Sequence, residues 1–364
     1  MSGLLPMNEK EQVTAIVFGD TFSLYDEKSF DEFVAPFYTR LKNNGISTEV
    51  FRGKRCLDAG CGGGRGSILM AQCGAKEVVG VDFSTTNIES CRKRAAQKGF
   101  TNMTFLQHSL IELPFEDESF DIVWCNGVLM HTIDPDTGLK EITRVLKKGG
   151  HLWLYVYGVG GVYWSMVDWV RSTFRGVDVK DCIYQLRVME MPIRRIAEWI
   201  DDWFAGYLRC YTNADVENRL RELGYDQTAR LMYGTLYDTS QRQQNADIHE
   251  IHLMGEGDLR YFCQKARNPS GDKFRLPDSP SGVGSRFVDP PEVTQFAPLL
   301  KKITGNLEKL ERKKGHEISC FRILVCRSVH TRVRSLLETP GPFDTENLKL
   351  HLENLNSLVE AAAS

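Results

Sequence analysis

Between Lys54 and Tyr157, short apolar runs alternate with longer amphipathic stretches. The apolar runs are "RCLDAG", "EVVGVDF", "MTFLQH", "FDIVWCN" and "HLWLYVY", and between them lie "GSILMAQCG", "TTNIESCRKRAAQKG" and "DTGLKEITRVLKKGG". Runs of strand length separated by helical patterns predict an α/β fold in which crossover helices join parallel strands. Such sheets bind ligands beyond the carboxyl ends of their strands, so the loops after these runs are candidate binding loops.

The segments on either side of this alternation are patterned as helices. Residues 8–50 include "SFDEFVAPFYTRLKNNG", in which aromatic and aliphatic residues fall near helical spacing before a glycine. Residues 158–211 hold four of the six tryptophans of the chain and predict two or three inserted amphipathic helices. A helix over 212–225 and a strand over 258–266 ("DLRYFCQKA") then indicate that the sheet resumes.

A change in composition sets off the last part of the chain. Residues 267–298 are dense in Pro, Gly, Ser and Asp, which is typical of a long loop or linker. Beyond this segment we predict a basic helix over 299–314, a strand in "EISCFRILVC" and a terminal helix. The terminal helix carries four aliphatic residues on one face: Leu348, Leu352, Leu355 and Val359.

These patterns divide the chain into six predicted parts. The first four are an N-terminal helical segment, a ligand-binding α/β core, a helical insert that forms a lid over the ligand site, and a segment that completes the core sheet. A linker and a C-terminal α/β extension follow. In order, the parts are 1–50, 51–157, 158–211, 212–266, 267–298 and 299–364.

Composition and charge narrow the function classes only slightly. The chain has 364 residues, of which 42% are hydrophobic and 26% charged, as is ordinary for a core-forming enzyme. A net charge of -3, from 45 basic and 48 acidic residues, gives no electrostatic footprint for nucleic acid over the whole chain.

The ten cysteines are scattered, and no Cys-x-x-Cys pair occurs, which leaves zinc-ribbon and thioredoxin-like interpretations without support. Several cysteines lie in strongly apolar runs, where a free thiol behaves as a small hydrophobe, and we therefore expect a reducing, cytoplasmic location. The first residues, "MSGLLPMNEKEQ", lack the pattern of a signal peptide, and no apolar stretch reaches 18 residues. We expect neither a leader nor a membrane span.

The stretch "CLDAGCGGGRGS" places a glycine-rich loop directly after the first apolar run. The dinucleotide fingerprint G-x-G-x-x-G fails when it is counted from Gly60, because Arg65 occupies its third glycine position. The pattern that fits is D-x-G-x-G-x-G, with Asp58, Gly60, Gly62 and Gly64. Glycines let the backbone approach a ligand closely, and the N-terminus of the following helix favours a carboxylate.

Two aspartates near this loop suit an adenosine cofactor that also carries positive charge. Asp58 places a carboxylate where an ammonium group can lie, and S-adenosylmethionine has such a group in its methionine half. Asp82 ends the second apolar run, 22 residues after Gly60, where a carboxylate can accept hydrogen bonds from ribose hydroxyls. Phe83 beside it can lie against the adenine, although an aspartate at a strand end is also commonly a helix cap.

Four stretches in this order resemble the class I S-adenosylmethionine-dependent methyltransferases: "LDAGCGGG", "VVGVDFS", "LPFEDESFDIVWCNGVLMH" and "EITRVLKKGGHLWL". They are similar to the branch that includes ubiquinone and menaquinone biosynthesis enzymes and other small-molecule methyltransferases. The resemblance covers about a third of the chain, residues 54–157. It implies a Rossmann-like, doubly wound sheet of seven strands, the last of them antiparallel.

The resemblance also implies where the cofactor S-adenosyl-L-methionine is bound. Relatives usually carry an acid after the third strand to meet the adenine amino group, whereas this chain has Ser109 there, so that adenine recognition relies on backbone and Leu110. We expect Asp121 to be structural rather than a ligand contact. The expected cofactor residues are Asp58, Gly60, Cys61, Gly62, Asp82, Phe83, Ser109, Leu110 and Asn126.

The candidate catalytic residues are fewer. Methyl transfer from sulfonium always needs alignment of the reacting atoms, but it needs a base only when the acceptor must lose a proton. His131 follows the fourth strand, and Tyr155 and Tyr157 end the fifth, where an acceptor would bind. His252 lies with His249 in "HEIHL", upstream of Glu256, Asp258 and Arg260, which form a second candidate wall. Two histidines without a third ligand give little indication of a metal site, and we predict none.

The expected acceptor is a small organic molecule, flat or apolar, with the receiving atom O, N or C left open. The tryptophans of the insert suit such a molecule, although each can equally serve to pack the insert on the sheet. A protein, peptide or RNA acceptor is a first alternative, for which the basic run 301–314 is the only sequence support. A non-catalytic, cofactor-binding scaffold is the second, and the leucine-faced terminal helix would then bind a partner or a second copy in a homodimer.

Overall fold

The computed structural model describes residues 8–226, 228, 230–231, 255–277, 294–314, 319–338 and 344–364. Two helices open the chain, α1 (Glu9–Ser23) and α2 (Glu27–Asn43), as predicted for residues 8–50. Asn8 begins α1 with a capping box, in which its side chain accepts from the Glu11 amide and the Glu11 carboxylate accepts from the Asn8 amide. Helix α2 buries one apolar face: Phe30, Val34, Phe37 and Leu41.

The strands and helices that follow take the predicted alternation. The strands are β1 (Arg55–Ala59), β2 (Glu77–Asp82), β3 (Met103–Gln107), β4 (Phe120–Asn126) and β5 (Leu146–Gly158). The helices are α3 (Arg65–Gln72), α4 (Thr85–Gln97) and α5 (Pro135–Val145), together with the short 3-10 helices Thr48–Phe51 and Leu129–His131. Strands β1 to β5 pair in parallel in the order β3-β2-β1-β4-β5. Because the order reverses beside β1, the loops after β1 and β4 open on the same crevice.

Along the chain, the helices of the insert lie between β5 and the remaining strands of the sheet. These are α6 (Gly161–Thr173), α7 (Val179–Val188) and α8 (Ile193–Phe204), in agreement with the predicted two or three. The chain then returns through β6 (Cys210–Tyr211), α9 (Asn213–Glu222), β7 (Tyr225–Asp226) and β8 (Asp258–Lys265).

The far edge of the sheet confirms the predicted mixed topology. Strand β8 pairs antiparallel with β5, and β7 pairs antiparallel with β8. Seven strands therefore form the path β3-β2-β1-β4-β5-β8-β7, and the last strand in chain order is the antiparallel one. The two-residue strand β6 lies off this path, where it pairs in parallel with the end of β5. The described part of the chain is thus a Rossmann-like α/β fold with a small eighth strand.

The C-terminal region is helical, and the strand predicted in "EISCFRILVC" is wrong. Its helices are α10 (Ala297–Lys314), α11 (Ser319–Glu338) and α12 (Thr345–Ala363). Most of the buried residues of α11 recur at helical spacing (Arg322, Ile323, Cys326, Val329, His330 and Val333), and Val325 is buried as well. A short apolar run cannot by itself distinguish a strand from a buried helix, and here the periodicity continues well past Cys326. The described residues of 299–364 therefore contain no strand, contrary to the predicted α/β extension.

The tryptophans of the insert pack against these C-terminal helices. Trp169 donates from Nε1 to the carbonyl oxygen of Leu300 and to Thr304 Oγ1 on α10. Trp203 donates from Nε1 to Nδ1 of His330 on α11, a histidine with no exposed surface. The terminal helix α12 in turn lies against α10 with Leu348, Leu352 and Val359 buried and Leu355 partly buried. The insert and the C-terminal helices thus share one apolar core.

Within the described ranges, no helix is long and apolar enough to cross a membrane. Those same ranges hold no cluster of three or more metal-ligating side chains. His249 and His252 lie outside the residues that the structure describes.

Candidate active site

A cleft opens at the carboxyl ends of β1, β2, β4 and β5, where the order of the strands reverses. It encloses about 1120 Å³ of space, including its open mouth. All nine residues that the sequence assigns to the cofactor line this cleft, as do His131, Tyr155 and Tyr157. The topology therefore brings the residues predicted for the cofactor and those predicted for the acceptor into one space.

The glycine loop after β1 is folded so closely that side chains are excluded at two positions. Gly60 and Gly62 have φ angles of 76° and 50°, a backbone region that favours glycine. A Cβ on Gly60 would lie 2.4 Å from Val128 Cγ1, and one on Gly62 would lie 2.6 Å from Phe22 Cε2. The loop thus presents bare backbone to the cleft, as a ligand at the start of α3 requires.

Asp82 ties this loop to the end of β2. Its Oδ2 accepts from the Gly62 amide at 2.8 Å, and its Oδ1 accepts from the Ser84 amide at 2.9 Å. Ser84, not Asp82, provides the N-terminal side-chain cap of α4. Oδ1 also accepts from Asn87 Nδ2 at 3.3 Å, so the second lone pair of Oδ2 is the acceptor capacity that Asp82 retains for a hydroxyl group in the cleft. Burial raises the pKa of Asp82, and the two amide bonds act against that shift.

Asp58 is buried at the end of β1 beside the first turn of α3. Its Oδ2 accepts from Ser67 Oγ at 2.6 Å. Helix α3 begins after Gly64, which provides no side-chain cap, so the carboxylate of Asp58 compensates part of the positive end of the helix. Burial raises the pKa of Asp58 to about 6. A cationic ligand group beside it would lower that pKa again, which fits the ammonium group expected from the sequence.

The other predicted cofactor residues lie along the neighbouring strand ends. Phe83 follows Asp82, and Ser109 and Leu110 follow β3, all on the wall of the cleft. Asn126 ends β4 and accepts from Trp153 Nε1 through Oδ1 at 3.0 Å, so its amide nitrogen is the group left for a ligand. Asp121, at the opposite end of β4, accepts from the Arg55 amide and from Lys147 Nζ, in agreement with a structural role.

His131 is held in one orientation by contacts on both sides. Its Nδ1 lies 2.8 Å from the carbonyl oxygen of Tyr207, and because a carbonyl only accepts, Nδ1 carries the proton. Phe18 and Tyr157 contact the ring at centroid distances of 5.0 and 5.6 Å. Burial, with a smaller contribution from the cations Arg171 and Arg209, lowers the pKa of His131 to about 4, while the hydrogen bond to Tyr207 acts in the other direction. The imidazole is therefore neutral near pH 7 and presents an unprotonated Nε2.

Both tyrosines at the end of β5 line the cleft, but they differ in their partners. Tyr155 donates its hydroxyl proton to Asp258 Oδ1 at 3.0 Å, and the Arg260 guanidinium lies over its ring at 3.5 Å. Tyr157 packs between His131 and Trp164. Burial raises the pKa of both phenols well above the usual value, so each remains a neutral hydroxyl. Tyr157 thus serves as a wall or a hydrogen-bond donor rather than as a base.

The remaining wall of the cleft comes from elements that the sequence reasoning did not assign to it. One face of α1 lines the cleft with residues spaced three or four apart: Glu11, Thr14, Phe18 and Phe22. Phe37 of α2, Arg65 of α3 and Asp201 of α8 complete this side. The spacing in α1 is visible in the sequence as a helical face, but nothing in the sequence indicates what that face covers.

Two sets of side chains that were expected to line the acceptor side of the cleft do not line it. The tryptophans Trp164, Trp169, Trp199 and Trp203 do not line the cleft, because they are buried against the sheet and the C-terminal helices. The insert reaches the cleft through Asp201 instead. Glu256, Asp258 and Arg260 also lie behind the wall, and the last two act on the cleft only through Tyr155.

Comparison with known proteins agrees with this geometry. Residues 51–158 match a family described as a methyltransferase domain. The chain is 40% identical over 100 residues to a demethylmenaquinone methyltransferase of Clavibacter sepedonicus, a match that covers 28% of this chain and 40% of that protein. It is 35% identical over 122 residues to a ubiquinone biosynthesis O-methyltransferase of Haemophilus ducreyi, a match that covers 32% of this chain and 49% of that protein.

A third relative is named for a different substrate. This is the 27-O-demethylrifamycin SV methyltransferase of Amycolatopsis mediterranei, 35% identical over 101 residues, with 28% of this chain and 37% of that protein covered. The chain spans less than two thirds of the length of each of these relatives. Among solved structures, the YcgJ protein of Bacillus subtilis is similar at a TM-score of 0.41 and 19% identity, over 62% of this chain and 99% of that one.

The strand order, the glycine loop with its two aspartates and the family match define the class of this region. Residues 51–158 match a methyltransferase domain and have the Rossmann-like strand order, in keeping with the resemblance to the S-adenosylmethionine-dependent class I type. Within that class, the domain is similar to the methyltransferases of quinone biosynthesis, as the sequence motifs indicated.

Proposed function

We propose that this chain transfers the methyl group of S-adenosylmethionine to a small organic acceptor bound between the strand ends and helix α1. One observation carries the proposal. The cofactor cradle around Asp82 and the unprotonated Nε2 of His131 open on the same cleft, whose other wall is built from aromatic side chains.

The residues of the cradle fit the cofactor in charge and shape. The unused lone pair of Asp82 Oδ2 suits a ribose hydroxyl, the buried carboxylate of Asp58 suits an ammonium group, and Phe83 offers a ring for adenine. When bound, S-adenosylmethionine supplies an electrophilic methyl group on a sulfonium. The chain has to bring an acceptor atom into line with that group and exclude water, which can supply several kcal/mol of the barrier.

The opposite wall supports an acceptor that is at least partly apolar. Phe18 and Phe22 of α1, with Phe37 of α2 and Tyr157 of β5, give a mostly aromatic surface. Such surfaces bind flat or apolar molecules and exclude water, and a few polar groups then set the orientation. The names of the relatives from C. sepedonicus and A. mediterranei also denote small-molecule acceptors.

The proton of the acceptor, where it has one to lose, goes to His131. The Tyr207 carbonyl fixes Nδ1–H, so only Nε2 can take up a proton, and the residue lines the cleft. A positioned base of this kind typically accelerates a reaction by about 10² to 10⁴-fold. Tyr157, the second candidate from the sequence, orients the imidazole through its edge-to-face contact.

The test is transfer of label from methyl-labelled S-adenosylmethionine in an extract of the source organism. After incubation with the pure protein, the products are separated into small molecules, proteins and nucleic acids. Label in the small-molecule fraction supports the proposal. Label confined to proteins or RNA contradicts it in favour of a macromolecular acceptor, and no label above a heat-inactivated control contradicts it in favour of a binding scaffold.

The pH dependence of the rate follows from the lowered pKa of His131. With a pKa of about 4, in place of the usual 6.5, the imidazole stays neutral down to mildly acid pH. Activity that needs a neutral base is then present above about pH 5 and is lost only as the pH falls through about 4. We expect a flat rate between pH 6 and pH 8, measured with labelled cofactor at saturation. A loss of activity centred near pH 6.5 would contradict the buried, neutral state of this histidine.

A further inference from the structure

Arg65 is the one lysine or arginine among the described residues that line the cleft. The same wall carries four acidic side chains: Glu11, Asp58, Asp82 and Asp201. The acids suit a cofactor with a sulfonium and an ammonium group, because opposite charges attract across a partly desolvated space. A guanidinium among them does not serve that purpose, so its role in the cleft has to be a different one.

Aromatic rings surround the guanidinium of Arg65, but no hydrogen-bond acceptor does. Its central carbon lies 4.9 Å from the ring centroid of Phe33, 5.5 Å from that of Phe22 and 5.7 Å from that of Phe37. These rings attract the cation, yet they leave its five N–H donors without acceptors. Among the described residues, Arg65 forms neither a hydrogen bond nor an ion pair.

The guanidinium is accessible to a ligand in the cleft. None of its three nitrogens is an atom that is both buried and unpartnered, and since none has a partner among the described residues, each is exposed. The residue as a whole is partly exposed and lines the cleft. Burial lowers the pKa of Arg65, but a guanidinium remains charged at neutral pH. Charged donors in such a place form their strongest hydrogen bonds with an anion.

The side chain of Arg65 lies on the acceptor side of the cleft. Phe22 and Phe37, two of the rings around it, belong to the aromatic wall that the proposed function assigns to the acceptor. The carboxylate of the cofactor already has a place at the bare backbone where α3 begins. Asp58 and Asp201 act on the pKa of Arg65 without forming an ion pair with it. The guanidinium is therefore open to an anionic group of the acceptor.

We propose that the acceptor carries a carboxylate, separate from the atom that receives the methyl group, and that Arg65 binds this carboxylate. The planar guanidinium can donate two parallel hydrogen bonds to it. A single negative charge suits a wall with one cation and four acids, whereas the double charge of a phosphate would be repelled more strongly. This inference rests on the proposed function and narrows the acceptor to a flat or apolar molecule with a carboxylate.

The first test is the charge of the labelled product. The small-molecule fraction of the extract is labelled and passed over an anion exchanger at neutral pH and at about pH 2, where carboxylates are protonated. Label that is retained only at neutral pH supports the inference. Label retained at both pH values, as for a phosphate, or at neither overturns it but leaves the proposed function standing. The absence of any labelled small molecule overturns both.

Two variants of Arg65 then test the guanidinium itself. Methionine keeps the apolar stem without charge or donors, while lysine keeps the charge without the planar fork. We expect Arg65→Met to slow labelling of the small-molecule fraction at least about tenfold, as the loss of a charge-assisted hydrogen bond implies. Arg65→Lys should lie between the methionine variant and the unaltered protein. A methionine variant as fast as the unaltered protein would overturn the inference.

Binding of two cofactor analogues separates the acceptor carboxylate from that of the cofactor. S-adenosylhomocysteine has the amino-acid half of the cofactor, and methylthioadenosine lacks it. In Arg65→Met, the affinities for both should stay within about twofold, as for a substitution that removes no contact with either ligand. A loss of affinity for S-adenosylhomocysteine alone would assign Arg65 to the carboxylate of the cofactor and overturn the inference.

Arg194 provides the matched control. Its guanidinium, on α8, lies 5.1 Å from the centroid of the same Phe33 ring, but Arg194 is absent from the wall of the cleft. Arg194→Met should therefore label at the rate of the unaltered protein. A loss equal to that of Arg65→Met would mean that packing of arginine on α2 is what matters, and it would overturn a role of Arg65 in binding the acceptor.

Discussion

Replacing His131 by glutamine is expected to lower the rate of methyl transfer at saturating cofactor by about 100-fold or more. Glutamine can still donate to the Tyr207 carbonyl and fills a similar volume, but it has no basic nitrogen to take the proton that Nε2 accepts. The affinity for S-adenosylhomocysteine should stay within about threefold, because the imidazole is held by Phe18, Tyr157 and the Tyr207 carbonyl, none of which is assigned to the cofactor. The rate is measured by transfer of labelled methyl groups to the small-molecule fraction.

A second histidine of the sheet provides the matched control. His151 lies on β5 and stacks on Phe262, and it is absent from the wall of the cleft. His151→Gln should leave the rate unchanged, although it alters a partly buried imidazole of the same sheet. If His131→Gln kept more than a third of the activity, the base would have to be another group or the acceptor would have no proton to lose.

Replacing Asp82 by alanine is expected to weaken binding of S-adenosylmethionine at least about tenfold. The carboxylate accepts two backbone amide bonds that shape the loop, and charge-assisted hydrogen bonds of this kind contribute about 1.5–3 kcal/mol each. Alanine would also leave the Gly62 amide without its acceptor, so we expect a modest fall in melting temperature as well. Equilibrium dialysis with labelled cofactor gives the affinity, and circular dichroism gives the stability.

Asp121 separates loss of the cofactor contact from loss of stability. It too accepts from a backbone amide, that of Arg55, but it lies at the opposite end of the sheet. Asp121→Ala should lower the melting temperature without changing cofactor affinity. Equal affinities of the Asp82→Ala variant and the unaltered protein would remove the assignment of Asp82 to the ribose.

The cofactor half of the cleft was predictable because its residues are local in sequence. Asp58, Gly60 and Gly62 follow one strand directly, and Asp82 ends the next. Parallel strands place their carboxyl ends at the same edge, so residues at those ends meet once the alternation of strands and helices is recognised. The seven strands of a doubly wound sheet and the antiparallel last strand came from the resemblance, and the structure agrees with both.

The acceptor half was not predictable in the same way, because it is built from segments far apart in the chain. Phe18 of α1 contacts the His131 ring, Phe22 of α1 packs on the glycine loop, and Asp201 comes from the insert. A helical face such as that of α1 has the same pattern whether it covers a cleft or packs on a core. The proximity of His131 and Asp201 in the cleft likewise results from the packing, and no sequence pattern shows it.

The two expectations that failed share one physical reason. The tryptophans of the insert and the apolar run "ISCFRILVC" were interpreted without the partner that buries them. In the structure Trp199 and Trp203 pack on His330 of α11, the helix that contains residues 319–326 of that run. The role of an apolar face depends on the residues that bury it, and here those residues lie more than 100 positions away in the sequence.

The central claim, that this cleft is an S-adenosylmethionine site, is tested most directly by calorimetric titration of the unaltered protein. Solutions of S-adenosylhomocysteine and of NAD are titrated separately, because the Gly-rich loop departs from the dinucleotide pattern at Arg65. We predict saturable binding of S-adenosylhomocysteine at one site per chain and no binding of NAD. Absence of binding by S-adenosylhomocysteine, or equal binding of NAD, would contradict the account.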